Sequence, residues 1–202
     1  MMIRVLLAED QAMVRGALTA LLSREPDIEV VAEVARGDEV VDAAQASQPD
    51  IALLDIEMPG SSGLDVAQAL REALSSCRVV ILTTFGRSGY LRRAMESGAV
   101  GFLLKDAPAA ELAVALRRVM AGERVVDPEL ALATLSEGHN PLTNREREVL
   151  SASLFGASLA DMATRLSLSE GTVRNHLSTA MQKLGAQNRM EAARLAEQKG
   201  WL

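Results

Sequence analysis

The sequence predicts an α/β domain with a doubly wound, five-stranded parallel sheet, followed by a small all-α domain. Over residues 1–122, five short apolar runs alternate with stretches of helical periodicity, which is the pattern of strand-helix repeats. Residues 141–202 show helical periodicity only. Residues 1–140 carry 13 Lys and Arg against 21 Asp and Glu, whereas residues 141–202 carry 8 against 6. We therefore expect domains at 1–122 and 141–202, joined by a linker with a short helix at 123–140.

Composition limits the class of protein. The chain has 202 residues, of which 49% are apolar and only 2% aromatic, so its cores must be aliphatic. Cys77 is the only cysteine, which excludes an internal disulfide and a zinc site built from the cysteines of one chain. The first apolar run ends at Glu9, too early for a signal peptide or a membrane span, and no later run reaches the length of a span. We expect a cytoplasmic protein without membrane insertion.

The first two strand-helix repeats begin the chain. Residues 3–8 form the first predicted strand, and Glu9 and Asp10 follow it directly. The next helix carries apolar residues at helical spacing, namely Val14, Leu18, Leu21 and Leu22. Residues 29–35 form the second predicted strand, and the helix after it begins at Gly37.

The third strand lies in IALLDIEMPG at residues 51–60. Its apolar residues are continuous rather than alternating, which is typical of a strand buried on both faces of a parallel sheet. The run ends at Asp55, and Pro59 with Gly60 prevents further extension. The remaining elements are a helix after Gly63, a strand at 79–84, a helix through Tyr90, Leu91 and Ala94, a strand at 100–104, and a helix from Pro108 to Met120.

Polar side chains lie at the carboxyl ends of four of these strands. They are Glu9, Asp10, Asp55, Thr83 and Lys105. Because parallel strands end at one edge of a sheet, we expect these side chains to share one crevice. Clustered carboxylates repel unless a cation lies among them, and oxygen ligands with vacant positions suit Mg²⁺. Asp55 would then accept a phosphoryl group that Lys105 and Thr83 contact. The alternative is a set of unrelated strand-end caps.

The runs AEDQ, LLDIEMPGSSGLD, ILTTF and GFLLKD resemble the receiver domain of bacterial two-component response regulators, over about residues 1–122. The resemblance implies a flavodoxin-like fold in which Asp55 accepts phosphate from a sensor histidine kinase. It implies metal ligands at Glu9, Asp10, Asp55 and the backbone carbonyl of Glu57, and phosphate contacts from Thr83 and Lys105.

Three positions bear on how closely this sequence follows the receiver pattern. Phe102 matches the family's switch aromatic but lacks the hydroxyl of the commoner Tyr, so it can signal only by burial or exposure. Asp106 follows Lys105 where many receivers have Pro, which puts the usual cis peptide in question. Thr84 replaces a frequent small residue and would narrow access to the pocket.

The predicted linker contains a helix start at 127–129 and an apolar stretch through Leu130, Leu132 and Leu135. Residues 136–141 have the composition of a loop, so His139 there is expected to be solvated rather than a ligand.

The last part of the chain predicts four helices. Thr143 and Glu146 form a capping box ahead of the first helix, which ends at Gly156. The second helix carries Leu159, Met162, Ala163 and Leu166. A turn at 167–169 leads to a third helix that Ser169 caps, and residues 190–199 form the last helix.

The third helix has two different faces. Val173, Leu177, Ala180, Met181 and Leu184 lie on one face, and Arg174, Asn175, Ser178 and Gln182 lie on the other. A short helix, a tight turn and a longer helix with a polar outer face are typical of a helix-turn-helix. Arg and Asn can make bidentate contacts to base edges, and Ser178 and Thr179 can reach phosphates. The alternative is a solvated face of a helical bundle.

The runs LTNREREVL and LSEGTVRNHLSTAMQKLGAQNRMEAARLA resemble the LuxR-type DNA-binding domain of NarL/FixJ regulators, over about residues 141–202. The resemblance implies binding to double-stranded promoter DNA and a dimerisation helix at 190–199. The implied DNA contacts are Thr172, Arg174, Asn175, Ser178 and Lys183. Ser178 stands where Lys is frequent, which would weaken the anchoring of a phosphate.

The two resemblances together imply a switch. Phosphorylation of Asp55 would promote a homodimer that binds promoters, with RNA polymerase as a further partner and no enzymatic turnover beyond slow loss of the phosphoryl group. The first and last receiver helices form either a dimer face or sheet-facing core, through Val14, Leu18, Leu112 and Leu116. The DIEMPG, ILTTF and GYLRRA runs are similar to regulators that answer membrane-thermosensor kinases and control lipid desaturation.

Two other functions are compatible with parts of the pattern. One is a phosphorylation-independent dimeric transcription factor, although the full set of pocket residues argues against it. The other is a haloacid-dehalogenase-like phosphatase, which uses Asp, Thr, Lys and Mg²⁺ at strand ends. That class needs a second Asp where this chain has Glu57, and no cap domain fits between the predicted elements.

Overall fold

A computed structural model describes residues 2–84, 86, 88–136, 140–154 and 156–202. The chain forms two compact units. The first unit comprises Met1–Gly86 and Leu91–Leu132, and the second comprises Arg87–Tyr90 and Ala133–Leu202. His139 and the rest of 137–139, which fall in the predicted loop, lie outside the described residues. No helix in the described parts of the chain is both long and apolar enough to cross a membrane.

The first unit contains a parallel sheet, as the sequence predicts. Its strands are β1 (Ile3–Ala8), β2 (Ile28–Val34), β3 (Ile51–Leu54), β4 (Arg78–Thr83), β5 (Gly101–Leu104) and β6 (Val125–Val126), in the order β2-β1-β3-β4-β5-β6. The sixth strand is not predicted, because two residues are too few to show a period. It joins the edge of the sheet where the Val125 N–H donates to the Val100 carbonyl over 3.0 Å.

The helices that follow the strands agree with the predicted order. They are α1 (Ala12–Leu22), α2 (Val40–Ser47), α3 (Gly63–Ala73), α4 (Ser88–Glu96), α5 (Ala109–Met120) and α6 (Pro128–Ser136). A 3-10 turn at Gly37–Glu39 precedes α2, so the second helix starts as a tighter turn at the predicted residue. In α6, Leu130 is buried whereas Leu132 is 67% exposed.

The core of the first unit forms around the central strands. All four residues of β3 are buried, as expected for a strand covered on both faces. On one face of the sheet, Leu7 and Leu53 pack in a cluster with Leu112 and Leu116 of α5. Leu18 of α1 packs against this cluster. Leu112 and Leu116 therefore face the sheet and belong to the core. Of the two predicted possibilities, a dimer face or sheet-facing core, the structure supports the second for these two residues.

The second unit contains four helices in its C-terminal part. They are α7 (Asn144–Leu154), α8 (Leu159–Leu166), α9 (Glu170–Leu184) and α10 (Arg189–Gln198). The predicted capping box at the start of α7 is present, because the Glu146 N–H donates to Thr143 Oγ1 and the Thr143 N–H donates to Glu146 Oε2. Ser158 and Asp161 form another capping box at α8, and the Ser169 side chain caps α9.

An apolar cluster holds these helices together. It includes Leu150, Met162, Val173, Leu177, Ala193 and Trp201. Ala192, Ala193 and Ala196 of α10 have no exposed surface, so α10 approaches its neighbours closely through small side chains. The apolar face of α9 lies in the core of the unit, as predicted, because Val173, Leu177 and Ala180 belong to this cluster.

Candidate functional site

Asp55 lies directly after β3 at the carboxyl edge of the sheet. Its N–H donates to the Ala8 carbonyl over 2.9 Å, which extends the β1–β3 pairing to this residue. Its side chain is only 6% exposed, and Oδ1 accepts a 2.8 Å hydrogen bond from the Ile56 N–H. The carboxylate is thus buried, oriented by the backbone, and still has Oδ2 available for another partner.

Lys105, which follows β5, provides that partner. Its Nζ lies 2.9 Å from Asp55 Oδ2 and 2.6 Å from Glu9 Oε2. Burial opposes the charge on Lys105, but the hydrogen bonds to Glu9 and Asp55 outweigh it, so the pKa of Lys105 is raised. One ammonium therefore compensates two buried carboxylates.

Three carboxylates converge beside this ammonium. One oxygen from each of Glu9, Asp10 and Asp55 lies within 4.8 Å of the others. Glu9 is almost fully buried, whereas Asp10 is exposed. An all-oxygen set with one side open to solvent fits a divalent cation that keeps part of its water shell, such as Mg²⁺. The predicted carboxylates are brought together by the fold, and Glu57 is exposed two residues beyond Asp55.

The remaining predicted receiver residues lie on β4 and β5. Thr83 ends β4 without exposed surface, and its carbonyl accepts a 2.8 Å hydrogen bond from the Lys105 N–H. Phe102 lies opposite Ile81 in β5 and is also fully buried. Thr84 is exposed at the end of β4, and Asp106 is exposed after Lys105.

Gly63, which has no predicted role, supports the loop after Asp55. Its N–H donates to the Ile56 carbonyl over 2.9 Å. A Cβ at this position would lie 2.0 Å from the Asp55 carbonyl oxygen, so the start of α3 can approach Asp55 only with a glycine. A Gly eight residues after a strand-end Asp is the only sequence signal of this requirement.

Arg15 is a second residue that sequence reasoning misses. Its Nη1 donates to the Glu9 carbonyl over 2.5 Å and lies 3.5 Å from the Asp10 carbonyl. It ties the first turns of α1 to the turn that carries both acids. Arg15 lies on the same side of α1 as several apolar residues, so the sequence pattern does not predict this contact.

The outer face of α9 carries most of the predicted DNA contacts. Arg174, Asn175, Ser178 and Gln182 are exposed, on the side away from buried Val173, Leu177 and Ala180. Thr172 is half-buried, and its N–H and hydroxyl both contact Ser169 Oγ in the helix cap. Because the cap already occupies Thr172, its predicted contact to DNA would compete with this local bonding.

Residues 5–117 match the response regulator receiver domain, and residues 140–196 match the luxR family of bacterial regulatory proteins. The chain belongs to the LuxR-type two-component response regulators. It is 46% identical to the transcriptional regulatory protein DesR of Bacillus subtilis over 200 residues, which cover 99% of each chain.

Two further comparisons extend along the chain. The nitrate/nitrite response regulator NarL of Escherichia coli is 36% identical over 94% of this chain and 92% of its own length. The crystal structure of the response regulator ChrA of a heme-sensing two-component system is 36% identical, with a TM-score of 0.59, over 100% of this chain and 99% of that one. The protein is therefore a transcriptional response regulator with a receiver domain and a LuxR-type DNA-binding domain.

In the LuxR-type domain, Lys183 has a partner within the domain. Its Nζ lies 3.0 Å from Glu146 Oε1 and 2.8 Å from Glu146 Oε2. Burial opposes ionisation of Glu146, but hydrogen bonds from Lys183 and from the Thr143 N–H hold the pKa of Glu146 below its ordinary value. The DNA contact predicted for Lys183 would compete with this ion pair.

The receiver domain also has an apolar groove of 480 Å³ between α1 and the end of β5 with the start of α5. Its lining includes Val14, Leu18, Leu104, Pro108 and the side chain of Lys105. Met13 borders the groove and is 85% exposed. Met13 and the groove together form an exposed apolar surface next to the carboxylate site.

Proposed function

We propose that Asp55 accepts a phosphoryl group from the phosphohistidine of a sensor kinase. A carboxylate oxygen attacks the phosphorus, an O–P bond forms as the P–N bond breaks, and the leaving imidazole takes up one proton. The observation that supports this function most strongly is the buried Asp55 carboxylate, held 2.9 Å from Lys105 within a cluster of three acids.

The donor set around Asp55 supports a Mg²⁺ site. Glu9, Asp10, Asp55 and the Glu57 carbonyl would hold the ion, which supplies neutralisation of the phosphoryl oxygens when bound. Residues of the chain would position the ion. Asp10 is the exposed member of the cluster and would meet an entering ion first, while buried Glu9 is oriented by Lys105.

Lys105 and Thr83 are proposed to read the phosphorylated state. A phosphoryl group on Asp55 adds charge beside the ammonium of Lys105, which would transfer from the carboxylate to the new oxygens. The Thr83 hydroxyl would donate to the same oxygens. Phe102 is the proposed switch residue, and because it is fully buried in β5, it would report the change through its packing.

A homodimer is proposed as the phosphorylated form. Met13 and the apolar groove between α1 and α5 offer a surface that two copies can cover isologously, each placing Met13 towards the other. In the DNA-binding domain, α10 exposes Glu191 and Arg194, which can pair across a two-fold axis in the same way. A dimer would present two α9 helices to successive major grooves.

We propose that α9 binds double-stranded promoter DNA. Arg174 and Asn175 are exposed and can make bidentate contacts to guanine and adenine, while the exposed Ser178 and Thr179 would contact phosphates. The regulator would then act on transcription together with RNA polymerase. Promoters of membrane-lipid desaturation genes are the proposed targets, supported by the sequence resemblance of the DIEMPG, ILTTF and GYLRRA runs. Sequencing of genomic fragments retained by the phosphorylated protein tests this, and enrichment of unrelated promoters would replace the target.

Phosphotransfer is the test of the proposed function. The protein is incubated with Mg²⁺ and acetyl phosphate, and its intact mass and sedimentation are measured. Wild type should gain one phosphoryl group and shift from monomer to dimer, whereas Asp55→Asn should do neither. Asp106→Asn, a change of an exposed acid nearby, is the matched control and should behave as wild type. An adduct on Asp55→Asn would assign the acceptor elsewhere.

A further inference from the structure

The ion pair between Glu146 and Lys183 connects two helices of the DNA-binding domain. Glu146 lies in the first turn of α7 and Lys183 in the last turn of α9. Both carboxylate oxygens contact the ammonium, at 3.0 and 2.8 Å. Glu146 is only 4% exposed, and Oε2 also accepts the Thr143 N–H over 2.7 Å. The carboxylate is therefore fixed by the capping box before it meets the lysine.

This geometry argues against a phosphate contact by Lys183. An ammonium that leaves Glu146 for a phosphate would leave a buried carboxylate without its cation. That carboxylate cannot move with the lysine, because the capping box of α7 holds it. Moving Lys183 to DNA therefore exchanges one anionic partner for another and adds the cost of an unpaired buried charge.

The position of α9 is sensitive to this end of the helix. Ser169 caps its first turn, and Val173, Leu177 and Ala180 fix its middle on the core. The last turn is held by Lys183 on Glu146. A side-chain tip lies about 5–6 Å from a helix axis, so a rotation of roughly 10° moves it by about 1 Å. A shift of that size is enough to disturb bidentate contacts to bases.

We propose that Lys183 is a positioning residue, which sets the orientation of α9 through its ion pair with Glu146 and makes no contact with DNA phosphates. The inference rests on the proposed binding of promoter DNA through α9. Glu146 has the same positioning role, although its negative charge cannot itself bind DNA, which is also negatively charged. Glu146 and Lys183 therefore act as one unit in base recognition.

The test uses the full-length phosphorylated protein and two duplexes. The first duplex is selected by wild type from a random-sequence library, and the second is a scrambled version of it. Glu146→Gln and Lys183→Met should each weaken binding to the selected duplex by about tenfold, the scale of one lost base-pair contact, and leave the scrambled duplex almost unchanged. The double variant should be no weaker than either single variant, because the two residues share one role.

Charge alone predicts the opposite result for one of these variants. Removal of an acid reduces repulsion from DNA, so Glu146→Gln would tighten binding to both duplexes if the pair had no positioning role. Glu170→Gln is the matched control, since Glu170 is an exposed acid of α9 with no ion pair among the described residues. Lys183→Arg keeps the cation and should restore most of the affinity. Binding is compared at a temperature where circular dichroism shows every variant to be folded.

Three outcomes separate the possibilities. If wild type selects no duplex, the proposed DNA binding itself fails. If wild type selects one and Lys183→Met weakens both duplexes equally, with a shallower salt dependence, Lys183 contacts phosphate and the inference is wrong. If thermal stability falls but the folded Glu146→Gln variant binds both duplexes as tightly as wild type or more tightly, the pair is only structural and the inference is also wrong.

Discussion

At the scale of single residues, Lys105 has an unusual electrostatic position. It is the only described cation in contact with the buried carboxylates of Glu9 and Asp55. Its charge thus stabilises the receiver domain before any phosphoryl group arrives. The same ammonium is well placed to detect added negative charge, because its two present partners are already fixed by the ends of β1 and β3.

Replacing Lys105 with Met should destabilise the receiver domain by about 3 kcal/mol, because two buried carboxylates lose their cation. Mg²⁺ should recover part of this loss by binding to the same carboxylates. The measurement is urea unfolding of both proteins with and without Mg²⁺. Arg118→Met is the control, since Arg118 pairs with Glu123 on the surface and should cost less than about 1 kcal/mol. A Lys105→Met variant whose stability does not rise when Mg²⁺ is added would contradict a metal site at these acids.

The contribution of Lys105 should also depend on pH. Its pKa is raised in the folded protein, so its stabilising effect is complete below the unfolded value of about 10.4 and is lost as the pH rises through the higher folded value. The stability difference between wild type and Lys105→Met should therefore stay constant from about pH 7 to pH 9 and fall above about pH 10.5. A difference that declines already near neutral pH would show that another group carries it.

Gly63 and Gly16 provide a matched pair of substitutions to alanine. Gly63→Ala should destabilise the protein by about 2 kcal/mol, because its Cβ would collide with the Asp55 carbonyl oxygen. Gly16→Ala should stabilise it by about 0.5–1 kcal/mol, since Gly16 is within α1 and no described atom lies within 4 Å of a Cβ there. Thermal unfolding measures both. Destabilisation of equal size would show that the approach of α3 to Asp55 is not specific.

At the scale of elements, the periodicity of the sequence was sufficient to predict the strand-helix repeats and the four C-terminal helices. It could not predict β6, whose two residues pair with β5 at an edge. Nor could it assign Leu112 and Leu116 to the sheet side of α5, because an amphipathic helix shows its apolar face without showing what covers it. Element boundaries depend on local hydrogen bonds, as the 3-10 turn at Gly37–Glu39 illustrates.

The candidate sites, too, were predictable only in part from the sequence. Strand-end positions were enough to predict that Glu9, Asp55 and Lys105 meet, since parallel strands finish at one edge. The contact of Lys183 with Glu146 joins residues 37 positions apart on two helices, and neither residue alone carries a signal for it. A basic residue at the end of a recognition helix suggests DNA, and only the packing of α7 against α9 reveals the competing carboxylate.

At the scale of the whole molecule, assembly is expected to depend on Met13. Met13→Asp should prevent the phosphorylation-dependent dimer by placing a charge beside the apolar groove, while the gain of a phosphoryl group is unchanged. Met2→Asp is the control, because Met2 is also exposed, at 50%, but does not line the groove. Sedimentation velocity with acetyl phosphate and Mg²⁺ measures the outcome. A Met13→Asp variant that still dimerises would place the interface on another face.

The position of Trp201 gives the two-domain chain a built-in optical probe. Trp201 is the single tryptophan of the sequence and is packed into the core of the DNA-binding domain. Its emission should shift to longer wavelength when that domain unfolds, whereas the receiver domain has no indole to contribute. Fluorescence would therefore follow the melting of one domain, and circular dichroism the sum of both. If phosphorylation of Asp55 alters the emission of Trp201, its effect has passed from the receiver domain to the DNA-binding domain.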